Sequence, residues 1–144
     1  MALYHFKYGK TKFALEMDPA QVAAELKISE KPVLTDPAAA IREALRNPIG
    51  SAPLAQLVKP GERVVLLVND STRVANSEVF LPVLLDELNS AGVPDQDISI
   101  LFALGTHHIL SQEEMTELVG EAVAKRVAMY NSEAKKTEDF ITLG

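Results

Sequence analysis

The side chains with the most chemistry in them fall in two short strings. Asp70-Ser71-Thr72-Arg73 offers a carboxylate, two hydroxyls and a guanidinium, and Gly105-Thr106-His107-His108 adds a hydroxyl and two imidazoles. Such a set can hold an anionic substrate and move a proton, because a guanidinium pairs with carboxylate or phosphate and an imidazole exchanges its proton near neutrality. Each string follows an apolar run, V-V-L-L-V at residues 64–68 and I-S-I-L-F-A-L at residues 98–104. Continuous runs of this kind predict parallel strands buried on both faces, and in open α/β sheets ligands bind at loops leaving the carboxyl ends of the strands. The two strings are therefore expected on one rim of a sheet. There Asp70 is expected to direct Arg73 by a charge-assisted hydrogen bond, with backbone N–H groups after Thr72 open to an anion.

The elements that position these loops are also legible. Between them Val79, Phe80, Val83, Leu84, Leu88 and Ala91 recur at helical spacing, and Gly92 with Pro94 stops the helix. A start near Ser77 or Glu78 places Pro82 early, where a missing N–H is best tolerated. Strand, helix and strand make a βαβ unit with a right-handed crossover, so both loops emerge on the same side of the sheet. Residues 3–16 alternate around Tyr8-Gly9-Lys10-Thr11 as a hairpin with Tyr4, Phe6 and Tyr8 on one face. Asp36 reads as an N-cap and Pro37 as the first residue of a helix that Asn47-Pro48-Ile49-Gly50 closes. A helical turn is expected over residues 53–58, with Pro60-Gly61 turning the chain into the first apolar strand. Ser111 and Glu114 match a capping box that opens a helix through Met115, Leu118 and Val119. Residues 127–130 and 140–143 are candidate short strands. The fold class expected is α/β, a Rossmann-like parallel sheet flanked by helices, with an N-terminal β-hairpin.

Composition narrows the partners. A chain of 144 residues can form one compact domain with a real core. A formal net charge of −6, with no basic stripe, argues against a nucleic-acid partner. No apolar run approaches the ~20 residues that span a bilayer, and the first ten residues have the wrong order of charge and apolar residues for a secretory signal. The absence of cysteine excludes disulfides, thiolate metal sites and a cysteine nucleophile, and is compatible with a reducing cytoplasm. Residues 140–144, F-I-T-L-G, read as a strand delivered to a turn, so the chain is expected to be a fragment or a truncated product of a longer polypeptide.

Several separated motifs carry a family resemblance. A-L-R-N-P-I-G at residues 44–50, N-D-S-T-R at 69–73, L-P-V-L-L-D-E-L-N-S-A-G-V at 81–93 and D-I-S-I-L-F-A-L-G-T-H at 97–107 together resemble the N-terminal portion of the nickel-pincer lactate racemase family. The resemblance runs over nearly the whole chain, and residues 1–144 are expected to form the N-terminal α/β domain of such a protein, incomplete relative to the family. It implies cofactor and substrate contacts at Asp70, Thr72 and Arg73, and a proton-transfer role for His107. The implied reaction is racemisation of a small 2-hydroxy acid, lactate or an analogue: the histidine takes the hydroxyl proton while hydride passes to the pincer ring and returns to the opposite face. The second acid/base histidine, the cofactor-tethering lysine and the nickel-ligating histidine are implied to lie beyond Gly144. This chain alone is therefore expected to hold neither nickel nor the nickel-pincer nucleotide, and to need the C-terminal half in cis or in trans. Departures from the family pattern are Val74, His108 and Asn131-Ser132-Glu133, where members tend to carry proline, arginine and N-H-D.

Plainer readings stand beside these. Asp70 could cap the following helix, with Arg73 paired to it or to a surface carboxylate. Thr72 and Thr106 are types common in turns, and His107 without the resemblance is a loop histidine. His107 and His108 are too divergent as neighbours to chelate a metal well, His5 is a strand residue, and Glu113 and Glu114 belong to a helix start. Two other function classes remain. A nucleotide-binding domain is disfavoured because G-x-G-x-x-G occurs nowhere, and a non-catalytic α/β module binding a small carboxylate or a partner chain stays open.

Overall fold

The computed structural model describes residues 1–73, 75–136 and 141, in two compact units, Met1–Val33 and Leu34–Gly144. In the first, strands β1 (Ala2–Tyr8) and β2 (Thr11–Met17) pair antiparallel around Gly9 and Lys10. Gly9 has φ +56, which glycine adopts without steric cost, and a glycine first in a two-residue loop matches the twist of a hairpin. The register sets Tyr4 against Leu15 and Phe6 against Phe13, so the aromatic face expected from the alternation is present.

The second unit holds a three-stranded parallel sheet in the order β3 (Val64–Val68), β4 (Ile98–Phe102), β5 (Ala128–Asn131). Ahead of it come helices α1 (Pro37–Arg46) and α2 (Leu54–Leu57), and the Asp36 carboxylate caps α1 by accepting the Ala39 N–H at 2.9 Å. Helix α3 (Ser77–Ser90) joins β3 to β4, while α4 (Gln112–Val119) and α5 (Glu121–Ala124) join β4 to β5. Gly120, at φ +84, separates these last two, and α5 was not foreseen from periodicity. The candidate strand at residues 140–143 lies outside the described residues, apart from Ile141, which is exposed.

The core is one cluster between a single sheet face and these helices: Ile98, Ile100 and Phe102 of β4 pack with Leu81, Leu85, Leu88, Val119 and Val123. The expectation that the strands are covered on both faces is corrected here. Val65, Leu67 and Tyr130 stand on the opposite side and are 56%, 72% and 58% exposed. Both crossovers run in the same sense along the sheet, which places their helices on one side. The inner stripe of α3 is also shifted. Leu81 and Leu85 are fully buried, whereas Val79 is 41% exposed, because the unbroken apolar run at residues 79–85 leaves periodicity no means of choosing the inner face of that stretch. Pro82 sits beyond the first turn, inside the helix rather than at its start.

The end of α3 explains the Gly92 stop. Gly92 N–H donates to Asn89 carbonyl at 2.9 Å and Val93 N–H to Leu88 carbonyl at 3.0 Å, a Schellman motif that satisfies the last turn. Gly92 has φ +94, and a Cβ there would stand 2.7 Å from Pro60 Cγ. Beside it Arg126 draws α3 and the turn before β4 together, bonding Asp95 through Nε and Nη2 at 2.9 and 3.1 Å, Asp86 at 2.8 Å and Asn89 at 2.7 Å.

Candidate functional site

Because β3 and β4 are parallel and in direct register, with Val68 beside Phe102, the loops that follow them leave from the same end of the sheet. Asp70 lies two residues past β3, and its side chain is only 6% exposed. Three donors meet its carboxylate. Oδ1 accepts the Thr72 N–H at 3.1 Å and the Thr72 hydroxyl at 2.7 Å, and Oδ2 pairs with Nδ1 of His107, 37 residues along the chain. The Asp70 carbonyl takes the Arg73 N–H at 3.1 Å, which closes the loop into a turn. The His107 bond first, then the Thr72 hydroxyl, hold the carboxyl at about 2 against its ordinary 3.8, outweighing the opposing effect of burial.

This pairing fixes the histidine. An ionised carboxylate only accepts, so in the neutral ring Nδ1 carries the hydrogen and Nε2 carries the lone pair. The His107 side chain is half exposed and lines a hollow of about 200 Å³ shared with Thr106, His108, Ser132 and Lys135. A sequestered carboxylate orienting an accessible imidazole is the arrangement of a general base.

The loop that carries His107 is held at both ends by residues from the end of β5. Ser132 Oγ accepts the Leu104 N–H at 2.9 Å, and Asn131 Nδ2 donates to the Leu110 carbonyl at 2.9 Å. Ser132 N–H itself donates to the Phe102 carbonyl at 3.0 Å. Asn131 and Ser132 were noted only as departures from a family pattern. Their signal was a polar pair directly after the candidate strand at 127–130.

Arg73 behaves differently from expectation. Asp70 does not direct it, because both carboxylate oxygens are taken by Thr72 and His107. Its guanidinium has no hydrogen bond or ion pair among the described residues, and it lines a separate hollow of about 180 Å³ with Asn69, Ser71, Asn76, Ser77 and Glu117. Nor does Asp70 cap α3. The N-cap is Asn76, in the left-handed region at φ 53, a conformation asparagine tolerates better than most residues. His108 turns to Glu114 at 3.1 Å, and Glu114 completes the expected capping box, accepting the Ser111 N–H at 2.8 Å. His5 takes its place opposite Ala14 in the hairpin.

The donor set limits what can bind. Among the described residues no group of three or more His, Cys, Asp or Glu could hold a metal ion, and His107 is already committed to Asp70, so these residues do not fit a metal centre. Arg73 is the cation of its own hollow at the start of α3, which Glu78 and Glu117 also line. A further concavity of about 870 Å³ is lined by Glu62, Arg63, Asp97 and Tyr130, away from these groups. No helix among the described residues is long and apolar enough to cross a membrane.

Comparison with known proteins assigns the chain. It is 27% identical over 146 residues to a lactate racemase of Thermoanaerobacterium thermosaccharolyticum, covering 100% of this chain and 34% of that protein. It is 30% identical over 132 residues to a lactate racemase of Lactiplantibacillus plantarum, covering 85% of this chain and 29% of that protein. The chain thus spans about a third of the length of the curated relatives it matches. The structure superposes on the lactate racemase apoprotein from T. thermosaccharolyticum with a TM-score of 0.80 at 26% identity, over 99% of this chain and 33% of that one. Residues 8–144 match the family described as the lactate racemase N-terminal domain, and the chain belongs to that family.

Proposed function

We propose that this chain supplies the proton-handling part of an enzyme that racemises a small 2-hydroxy acid, lactate or a close analogue, by proton-coupled hydride transfer with a nickel-pincer nucleotide. The observation that carries the reading is the bond between buried Asp70 and accessible His107 at the carboxyl ends of adjacent parallel strands. Nε2 of His107 takes the substrate hydroxyl proton, and the Asp70 carboxylate, accepting from Nδ1, stabilises the imidazolium that forms and keeps the ring in the competent tautomer. Return of that proton to the oxygen completes the cycle. Thr72 holds the Asp70 carboxylate in place through two hydrogen bonds. Arg73, with the start of α3, is assigned to the anionic portion of the cofactor, and Asp70 and Thr72 to the loop that presents it. When bound, the cofactor supplies the acceptor for the substrate's α-hydride. Residues 1–144 act as an N-terminal domain, the rest of the site comes from the remaining two-thirds of the family's length, and the reaction is placed in the cytoplasm.

The test is His107→Ala in the complete, cofactor-loaded enzyme. Loss of a general acid/base group should lower racemisation by about 10²-fold or more. Turnover within a few-fold of the unmodified enzyme would refute the assignment.

A further inference from the structure

We propose that Asn131 and Ser132, the pair at the end of β5, are positioning residues for proton transfer by His107, an assignment that rests on the function proposed above. They act through the loop backbone and not on the substrate. Register brings them there. Val68, Phe102 and Asn131 lie in one row across the three strands, so the ends of β3 and β5 flank the loop that leaves β4. Asp70 holds the imidazole from the β3 side, and Asn131 with Ser132 holds the loop backbone from the β5 side.

A relay of bonds leads from Ser132 to the histidine. Its Oγ accepts the Leu104 N–H at 2.9 Å, and the Leu104 carbonyl in turn accepts the His107 N–H at 3.1 Å. At the far end of the loop Asn131 Nδ2 donates to the Leu110 carbonyl at 2.9 Å. Leu104 and Leu110 are both buried, so their side chains already moor the loop in the core. Burial leaves open the direction of each peptide plane, because apolar contact is non-directional whereas a hydrogen bond has a preferred angle. Those directions decide how His107, midway between the two leucines, presents its ring.

The Asn131 amide carries an independent mark of this role. Its Oδ1 is buried and meets no donor among the described residues. Buried polar atoms are nearly always paired, so this side chain is placed for its Nδ2 bond with its own oxygen left unsatisfied. Turned over, the amide would set Oδ1 against the Leu110 carbonyl, two acceptors with no hydrogen between them. An ionised aspartate, almost the same shape, could not make the bond for the same reason. Proton transfer depends on the placement that results. Asp70 must meet Nδ1 for Nε2 to carry the lone pair, and a displacement of about 1 Å in a reacting group can cost up to about 10²-fold in rate.

The experiment reads kcat and KM for L-lactate and, by nitrogen-15 NMR, the tautomer of the neutral His107 ring, all in the complete, cofactor-loaded enzyme. Asn131→Ala and Asn131→Asp should each lower kcat about 10- to 100-fold while KM changes less than about threefold, and the ring should pass from the Nδ1–H form to a mixture of both. Ser132→Ala should act in the same way but less, since the Leu104 N–H also donates to the Phe102 carbonyl at 3.1 Å. Ser132→Thr, which keeps the oxygen, should restore kcat to within about twofold of the unmodified enzyme. Asn89→Ala is the control. It removes an amide-to-carbonyl bond of the same length, 2.9 Å to Val93, ahead of β4 and away from the site, and should change neither kcat nor the tautomer. A kcat within about twofold of the unmodified enzyme in Asn131→Asp overturns the proposal, as does a fall in kcat with the tautomer unchanged, or an equal fall in Asn89→Ala. Where the Asn131 variants do not fold, Ser132→Ala and Ser132→Thr decide by the same readings. Normal turnover by His107→Ala would remove the proposed function, while the tautomer comparison still decides whether the end of β5 positions the ring.

Discussion

His107→Ala should weaken the acidity of Asp70, and the structure says by which route. The carboxyl sits at about 2 instead of 3.8, which makes it roughly a 60-fold stronger acid, each pKa step being tenfold. At pH 3 about a tenth of Asp70 is therefore protonated, against about six-sevenths of an ordinary aspartate. The His107 bond is the largest cause, the Thr72 hydroxyl the next, and burial works against both. Without the imidazole the midpoint should rise towards 3.8 but stay below it, since the Thr72 hydroxyl alone outweighs burial. Thr72→Val should raise it by less. The assay is carbon-detected NMR of the Asp70 carboxyl between pH 1.5 and 6, with the two variants read beside the parent. The same shift has a linkage consequence. The folded-state value is depressed, so the stability it contributes is complete above 3.8 and is lost as pH falls through about 2. A midpoint that stays near 2 in His107→Ala, or a larger rise in Thr72→Val, would refute the claim that the histidine anchors the carboxylate.

Two further perturbations address the frame that holds the site. Gly92→Ala should destabilise the protein by about 1–2 kcal/mol or more in urea denaturation, from the left-handed backbone cost alone, with the Pro60 contact adding to it; an unchanged midpoint would contradict the Schellman geometry. Leu85→Ala, at a fully buried position of α3, should cost about 2–5 kcal/mol in the same assay, whereas Val79→Ala should cost much less, and the reverse order would mean that the inner stripe of the helix is misassigned.

The elements written by local chemistry were legible in the sequence. Asp36 ahead of Pro37, the Ser111 and Glu114 box, and Gly9-Lys10 between alternating strands each satisfy backbone groups within a few residues, so the string itself carries the answer. The β3–α3–β4 unit was legible for the same reason, since strand lengths and the glycine stop are local. What failed depended on what lies across a gap. Apolar runs state that β3 and β5 contain Val, Leu and Tyr, but not whether anything covers both faces, and Val65, Leu67 and Tyr130 remain exposed. The motif loops were found, yet the partner of Asp70 was named as its neighbour Arg73. The actual partner is 37 residues away and reaches it only because the parallel register aligns Val68 with Phe102.

That error bears on how the site divides its labour. A carboxylate paired with Arg73 would have spent the loop's cation and left His107 without an orienting group. With Asp70 turned to His107, the imidazole gains a fixed tautomer, and Arg73 stays available in its own hollow beside the start of α3. One buried anion thereby sets two groups apart along a single rim, the imidazole on the β4 side and the guanidinium on the β3 side. The residues that keep the two apart are modest. Thr72 saturates the carboxylate oxygen that Arg73 would otherwise claim, and Asn131 and Ser132 hold the histidine loop at the distance where Oδ2 can meet it. Spacing within a motif names the groups, and the bonds between loops decide which of them work together.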